Sequence, residues 1–240
     1  MRAGEQFLQD ARDLLAAARA ARNRARRIAA GEGVLRVGFM LSSDITAPLH
    51  TFSAREARVR IELVRLRWWN QSTDLVDGTA DAGFVRLPVD AGRLRVLPLY
   101  QEGLCVALSV RHPLAGEDTV GLRALADEPL LRHAGASPVW NTGPRPDGTP
   151  WLRGPDVHDM EEILAYVRAG SGVVMVPESV AAVFPRPDIA CVPLTEVPPG
   201  TVAFAWDGER ESPLVDTFVD ATRPTVSDVT RPRPGSAPAP

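Results

Sequence analysis

HDMEEILAYVRAGSGVVMVPESV, residues His158–Val180, is the stretch whose reading decides the fold. Met160, Ile163, Leu164 and Val167 fall at helical spacing, so it begins as an amphipathic helix. The helix stops at Gly170-Ser171-Gly172, and a short apolar strand, Val173–Val176, runs from there to Pro177. Two glycines around a serine beside a strand invite a phosphate-loop reading, but the order is wrong. A phosphate cradle runs strand, glycines, helix, because the free N–H groups lie at the helix start. Here the glycines follow the helix, where carbonyls are left over and glycine serves as the left-handed cap.

Composition bounds the classes. A chain of 240 residues makes one large domain or two small ones, and 45% hydrophobic with 24% charged residues is ordinary for a globular protein. A net charge of -3 gives no support for a nucleic-acid surface over the whole chain. All 27 basic residues are Arg, which fits the codon bias of a GC-rich genome. Cys105 and Cys191 lie far apart in apolar runs and read as buried free thiols in strands, not as a disulfide framework or zinc site. No run approaches the roughly 18 apolar residues of a membrane span, and the N-terminus lacks a signal-peptide core. A cytoplasmic protein without membrane contact is expected.

Outward from the deciding stretch, residues 3–30 read as one long helix. Phe7, Ala11, Leu14, Ala18, Ala21, Ala25 and Ile28 alternate steps of four and three, the period of a coiled-coil seam. Arginines crowd its C-terminal half, and Gly31 and Gly33 end it. Strand Val34–Met40 follows, then a helix to about Ser53 with Ser42, Ser43 and Asp44 as candidate N-caps. Strand Val59–Leu66, helix Ser72–Val76 and strand Asp81–Val85 complete an alternation that reads as α/β with a largely parallel sheet. Leu94–Leu99 and Gly103–Val110 are two more strands, Leu122–Ala126 a short helix and Leu130–Arg132 a strand. A Gly- and Pro-rich loop covers His133–Pro155. Beyond the deciding stretch come strands Ile189–Leu194 and Thr201–Trp206, helix Leu214–Thr222 and a Pro-, Ser- and Thr-rich tail from Arg223 that is expected to be disordered.

RVGF at Arg36–Phe39, GTADAGF at Gly78–Phe84, RHPLA at Arg111–Ala115, LAYVRAGSGVVMVPES at Leu164–Ser179 and AFAWD at Ala203–Asp207 resemble, in this order and spacing, the effector-binding domain of LysR-type transcriptional regulators. The resemblance implies a bilobal fold like that of type 2 periplasmic binding proteins, preceded by the long linker helix. One lobe would hold residues 33–107 and 202–223, the other 108–201, after a linker or dimerisation helix over 1–32 and before a tail over 224–240. It also implies a small organic, anionic effector between the lobes, a dimer or tetramer, and no enzymatic activity or cofactor. The family's winged helix-turn-helix would precede the linker helix, where this chain starts. DNA binding is therefore expected only through a module absent from this chain.

In relatives that bind aromatic carboxylates, four segments line the effector site, and the resemblance places effector-binding residues here at Ser42 and Ser43, Trp68, Arg86, and Pro138-Val139-Trp140. Each has a plainer reading. Ser42 is either a ligand or an N-cap, Trp68 a site residue or core, and Arg86 an anion partner or one half of a surface ion pair. Trp68 also departs from the hydroxyl residue that relatives often carry there. His158, Glu161 and Glu162 have a spacing that suits a metal, but acids in a helix first turn are explained by the dipole. Asp81 reads as structural, and no serine sits in a nucleophile elbow. No catalytic or metal residue is expected. Two competing readings remain: a ligand-independent module forming mixed oligomers with full-length regulators, and a transport protein, which the missing export signal disfavours.

Overall fold

A computed structural model of the chain describes residues 33–134 except Ala91, residues 151–225 except Phe184, and scattered positions between Gly4 and Ala25. Those scattered positions are helical, and among them Phe7, Leu14 and Leu15 are 75%, 72% and 58% exposed. Asn23 is the buried exception: its amide donates to the carbonyl of Asp77 at 3.2 Å and to Oγ1 of Thr79 at 3.1 Å. The expected helix end at Ile28–Gly31 and the tail beyond Thr225 lie outside the described residues. The described residues divide into two compact units, one from Met1–Leu99 with Val202–Ser227 and one from Tyr100–Thr201.

The first unit is built on a five-stranded sheet of order β2-β1-β3-β11-β4: β1 (Val34–Phe39), β2 (Arg60–Arg65), β3 (Ala82–Arg86), β4 (Leu94–Glu102) and β11 (Gly200–Asp207). Strand β1 runs parallel to both β2 and β3, and β11 returns antiparallel to β3. All of β3 is buried because both faces of the sheet are covered. On one face helices α1 (Thr46–Arg55) and α5 (Pro213–Thr222) pack through Phe52, Phe84, Phe204 and Phe218. The ring of Phe218 lies 5.2 Å from that of Phe52 and 5.3 Å from that of Phe204, within the range where aromatic pairs add to simple burial. On the other face Leu66, Leu75, Val85, Ala203 and Ala205 form a second core under helix α2 (Gln71–Val76).

Leu66 sets the spacing of the parallel strands. A Cβ on Gly38 would stand 2.7 Å from Cδ1 of Leu66, and a Cβ on Gly83 would stand 3.0 Å from both the Leu66 side chain and the carbonyl oxygen of Gly38. Gly38 and Gly83 are partners across β1 and β3, so the two glycines of the RVGF and DAGF motifs make one seat for one leucine. Asp81 ties the same strands: its carboxylate accepts from Arg36 N at 2.9 Å while its own N–H donates to Arg36 O at 2.8 Å. Its structural reading holds.

Strand β11 ends at Asp207, whose carboxylate is buried. Arg93 donates to both its oxygens, Arg210 approaches at 3.1 Å, and Glu209 N donates at 3.0 Å. Burial alone would push this carboxyl up, but the arginines and the backbone N–H outweigh it and hold it below the ordinary range.

The second unit has a four-stranded sheet of order β6-β10-β5-β9: β5 (Leu104–Ser109), β6 (Val120–Gly121), β9 (Val174–Pro177) and β10 (Ile189–Thr195). Strands β7 (Leu130–His133) and β8 (Arg153–Val157) pair beside it. Strand β8 begins inside the Gly- and Pro-rich segment expected to be loop; Gly154 allows it, since a Cβ there would meet the Leu130 carbonyl oxygen at 2.7 Å. Helices α3 (Met160–Arg168) and α4 (Glu178–Val183) complete the unit. Asp159 caps α3 by accepting from Glu162 N at 2.9 Å, and the Glu162 carboxylate accepts in return from His158 N at 2.6 Å. The acids near His158 are thus spent on the helix start. At the other end Gly170 takes φ +66°, Ser171 N donates to Tyr166 O and Gly170 N to Val167 O, a complete Schellman cap. Gly172 lies against β7, where a Cβ would meet Pro129 O at 2.6 Å.

Two stability predictions follow from these contacts. Gly83→Ala is expected to cost about 1–3 kcal/mol, because the backbone of Gly38 cannot yield as a side-chain end would; denaturant unfolding measures it. For Asp207, an unfolded carboxylate titrates near 3.9 and the folded one below that, so its stabilisation is complete above about pH 4 and is lost as pH falls through the folded value. Asp207→Asn should therefore be less stable than the parent at pH 7 by about 2 kcal/mol, with the difference closing in acid.

Candidate functional site

The carboxyl ends of the parallel strands β1, β2 and β3 meet at one end of the first sheet, the end where α/β sheets hold ligands. Leaving β1, the chain turns through Leu41-Ser42-Ser43, closed by Ser43 N donating to Met40 O at 3.2 Å. Ser42 sits at φ +62°, in the left-handed region that a serine enters at a cost. It is not the N-cap of α1. That position belongs to Ile45, which offers no side-chain cap, and the first turn of α1 carries no acid. The hydroxyls of Ser42 and Ser43 are buried and have no hydrogen-bond partner among the described residues.

Arg86, the last residue of β3, is 4% exposed and supplies the charge. Its Nη1 donates to Leu41 O at 2.8 Å, which fixes the guanidinium against the serine turn. Gln71, at the start of α2, holds the Arg86 backbone from both sides, accepting from its N–H at 3.1 Å and donating to its carbonyl at 3.0 Å. The sequence reading missed Gln71; the signal was a polar residue at the first position of a short helix, which is rarely buried without a task. It also missed Arg65 and Arg67. Burial, then Arg67 and Arg86, depress the Arg65 guanidinium, so three arginines share one field at this end of the sheet.

Trp68 lies on the loop after β2, at the same end, half-buried and edge-on to Trp69 with centroids 4.9 Å apart. Trp69 is the more exposed and takes the Arg67 guanidinium 5.2 Å over its ring. Ser42, Ser43 and Arg86 are thus brought together, with Trp68 on the neighbouring loop. Pro138, Val139 and Trp140 lie outside the described residues. Among the described residues no group of His, Cys, Asp and Glu could hold a metal ion. Two buried hydroxyls, a helix start without a side-chain cap and a fixed guanidinium thus lie at one end of the sheet, donor types suited to a carboxylate.

The model of the LysR substrate binding domain matches residues 29–227. The chain belongs to the LysR family. Its relatives include the Hca operon transcriptional activator HcaR of Escherichia coli K12, 29% identical over 95% of this chain and 80% of that protein. BudR of Raoultella terrigena, an HTH-type transcriptional regulator, is 29% identical over 91% of this chain and 79% of its own length. Among solved structures, the effector-binding domain of BenM with its effector benzoate superposes at TM-score 0.64 with 25% identity, covering 80% of this chain and 90% of that one. The effector-binding domain of QuiR in complex with shikimate gives TM-score 0.69 at 17% identity over 82% and 98% of the two chains, a likeness of fold. The architecture of this LysR domain is accordingly the type 2 periplasmic-binding-protein-like α/β fold that its motifs imply. Among the described residues no helix is long and apolar enough to cross a membrane.

Proposed function

We propose that this chain is the small-molecule sensing domain of a transcriptional regulator, and that it takes a small organic carboxylate at Ser42, Ser43 and Arg86. The observation that carries this reading is the pair of buried, unpartnered serine hydroxyls beside a fixed guanidinium. A buried hydroxyl without a partner costs free energy, and an anion accepting from both serines beside the Arg86 guanidinium removes that cost. Benzoate, the effector of BenM, has the right chemistry: one carboxylate for the serine turn and one ring for an aromatic wall. Trp68 supplies that wall, and the resemblance assigns Pro138, Val139 and Trp140 to the same effector. The unit of residues 33–99 with 202–223 is the lobe bearing the anion site, and residues 100–201 make the other, a division near residue 100 where the resemblance implied one near 107. Effector binding acts on transcription through its differential affinity for two arrangements of the assembly. Neither catalysis nor a cofactor enters.

The N-terminal helical segment serves as the oligomer contact in this reading. Phe7, Leu14 and Leu15 expose large apolar side chains along it, and a second helix covers them.

Thermal unfolding of the full chain with benzoate tests the anion site. Saturable stabilisation is expected, about 2.7 kcal/mol at a hundredfold excess over Kd. Arg86→Ala should abolish it, and Ser42→Ala with Ser43→Ala should weaken affinity about tenfold while the fold stays intact. An affinity unchanged by loss of both serines would overturn the assignment. Sedimentation velocity tests the oligomer contact: the parent is expected to associate, and Phe7→Glu with Leu14→Glu to shift it to the monomer. An unchanged distribution in the variant would remove the helix from the interface, leaving mixed assembly with full-length regulators without its motivation.

A further inference from the structure

The turn that joins α2 to β3 is Asp77-Gly78-Thr79. Gly78 takes φ +74°, Asp77 N donates to Thr73 O at 2.8 Å, and the Asp77 carboxylate accepts from Thr79 N at 2.8 Å. The N-terminal helical segment closes over this turn from outside, where the buried Asn23 amide serves both Asp77 O and Thr79 Oγ1. The turn also concentrates acid. Asp77 is buried, and its Oδ2 has no hydrogen-bond partner among the described residues. Burial, then the Asp77 charge, push the Asp74 carboxyl up to about 6, against the pull of Arg19. Arg19 and Asn23 stand one helical turn apart, hence on one face of the segment. That single face supplies the turn with a donor and an opposing charge.

The same helix–turn–strand unit carries the anion site at its opposite end. Strand β3 leaves the turn and finishes at Arg86, while α2 starts at Gln71, whose side chain holds the Arg86 N–H and carbonyl. A helix of six residues has no stability of its own, so its place is set by what grips its ends and by the burial of Leu75 between them. We propose that Asn23 is a positioning residue of the anion site: by clasping the Asp77–Thr79 turn it keeps α2 and, through Gln71, Arg86 in the place from which a carboxylate is met. Asn23 itself touches no effector. Its contribution is read as affinity, because a site already held in its binding geometry loses less freedom when the ligand arrives. Linkage makes the effect reciprocal: a bound carboxylate that fixes Arg86 also steadies the segment carrying Asn23. The choice of ligand rests on the anion-site reading above; the tie between Asn23 and Arg86 does not.

Amide hydrogen exchange resolved residue by residue, by NMR on the full chain without ligand, tests the tie. Asn23→Ala and the equal-sized Asn23→Asp, which cannot donate, are each expected to speed exchange of the Arg86 amide about fivefold. The Leu66 amide, held by Phe39 O, should exchange as in the parent. Thr79→Ser keeps the acceptor that Asn23 uses and should match the parent at both amides. Equal acceleration at Arg86 and Leu66 is general loosening and sinks the proposal, as does no acceleration at Arg86. Titration with benzoate then reads the consequence: Kd about fivefold weaker in both Asn23 variants and unchanged in Thr79→Ser. An unchanged Kd in the Asn23 variants would overturn the positioning role. Should the parent not bind benzoate, the anion-site reading falls for that ligand, and Arg86 exchange still decides whether Asn23 positions Arg86.

Discussion

The first unit depends on the close approach of two backbones at Gly38 and Gly83. Only without side chains at both positions does Leu66 reach between β1 and β3, and the Leu66 N–H is then delivered to Phe39 O at 2.9 Å. Met40 N reaches Phe84 O at 3.2 Å in the same region, so the carboxyl ends of the strands are locked in register. The serine turn and Arg86 leave from those locked ends. A methyl group at either glycine would displace the frame from which the anion-accepting groups are hung, although it touches none of them.

Charge is handled in opposite ways at two places in this unit. Asp207 is a buried carboxylate fully served by Arg93, Arg210 and a backbone N–H, and so it works as a fastener for β11. Arg86 is a buried cation held against the serine turn by the carbonyl of Leu41, and it acts on the Arg65 guanidinium through space. The first arrangement fastens a strand; the second fixes a guanidinium at the end of one.

Much of this was legible in the sequence. Most strands of the two sheets follow from alternating or short apolar runs, β6 (Val120–Gly121) excepted, and the glycine cap of α3 follows from the helix-first order of His158–Val180, because both are local patterns with local causes. The family motifs carry glycines and an aspartate whose roles are strand spacing and strand tying, which is why they were recognisable. What could not be read was set by contacts distant in sequence. Ser42 occupies a left-handed conformation that no neighbour dictates, and that removes it from the capping role its position suggested. Gln71 meets Arg86 through a pairing 15 residues apart. Strand β8 hides behind a Gly-Pro pair because its glycine is needed for contact with β7. Cys191, expected to be buried like Cys105, is exposed, because which face of β10 is covered is not a local matter.

Helix α2 has only six residues, yet each of its ends is engaged. Its first residue, Gln71, grips the backbone of Arg86, and just past its last turn Asp77 O accepts from Asn23 in the N-terminal helical segment. At 1.5 Å per residue this is a strut of roughly 9 Å. A strut so short is stiff, and it ties the backbone of Arg86 at one end to the Asn23 amide at the other.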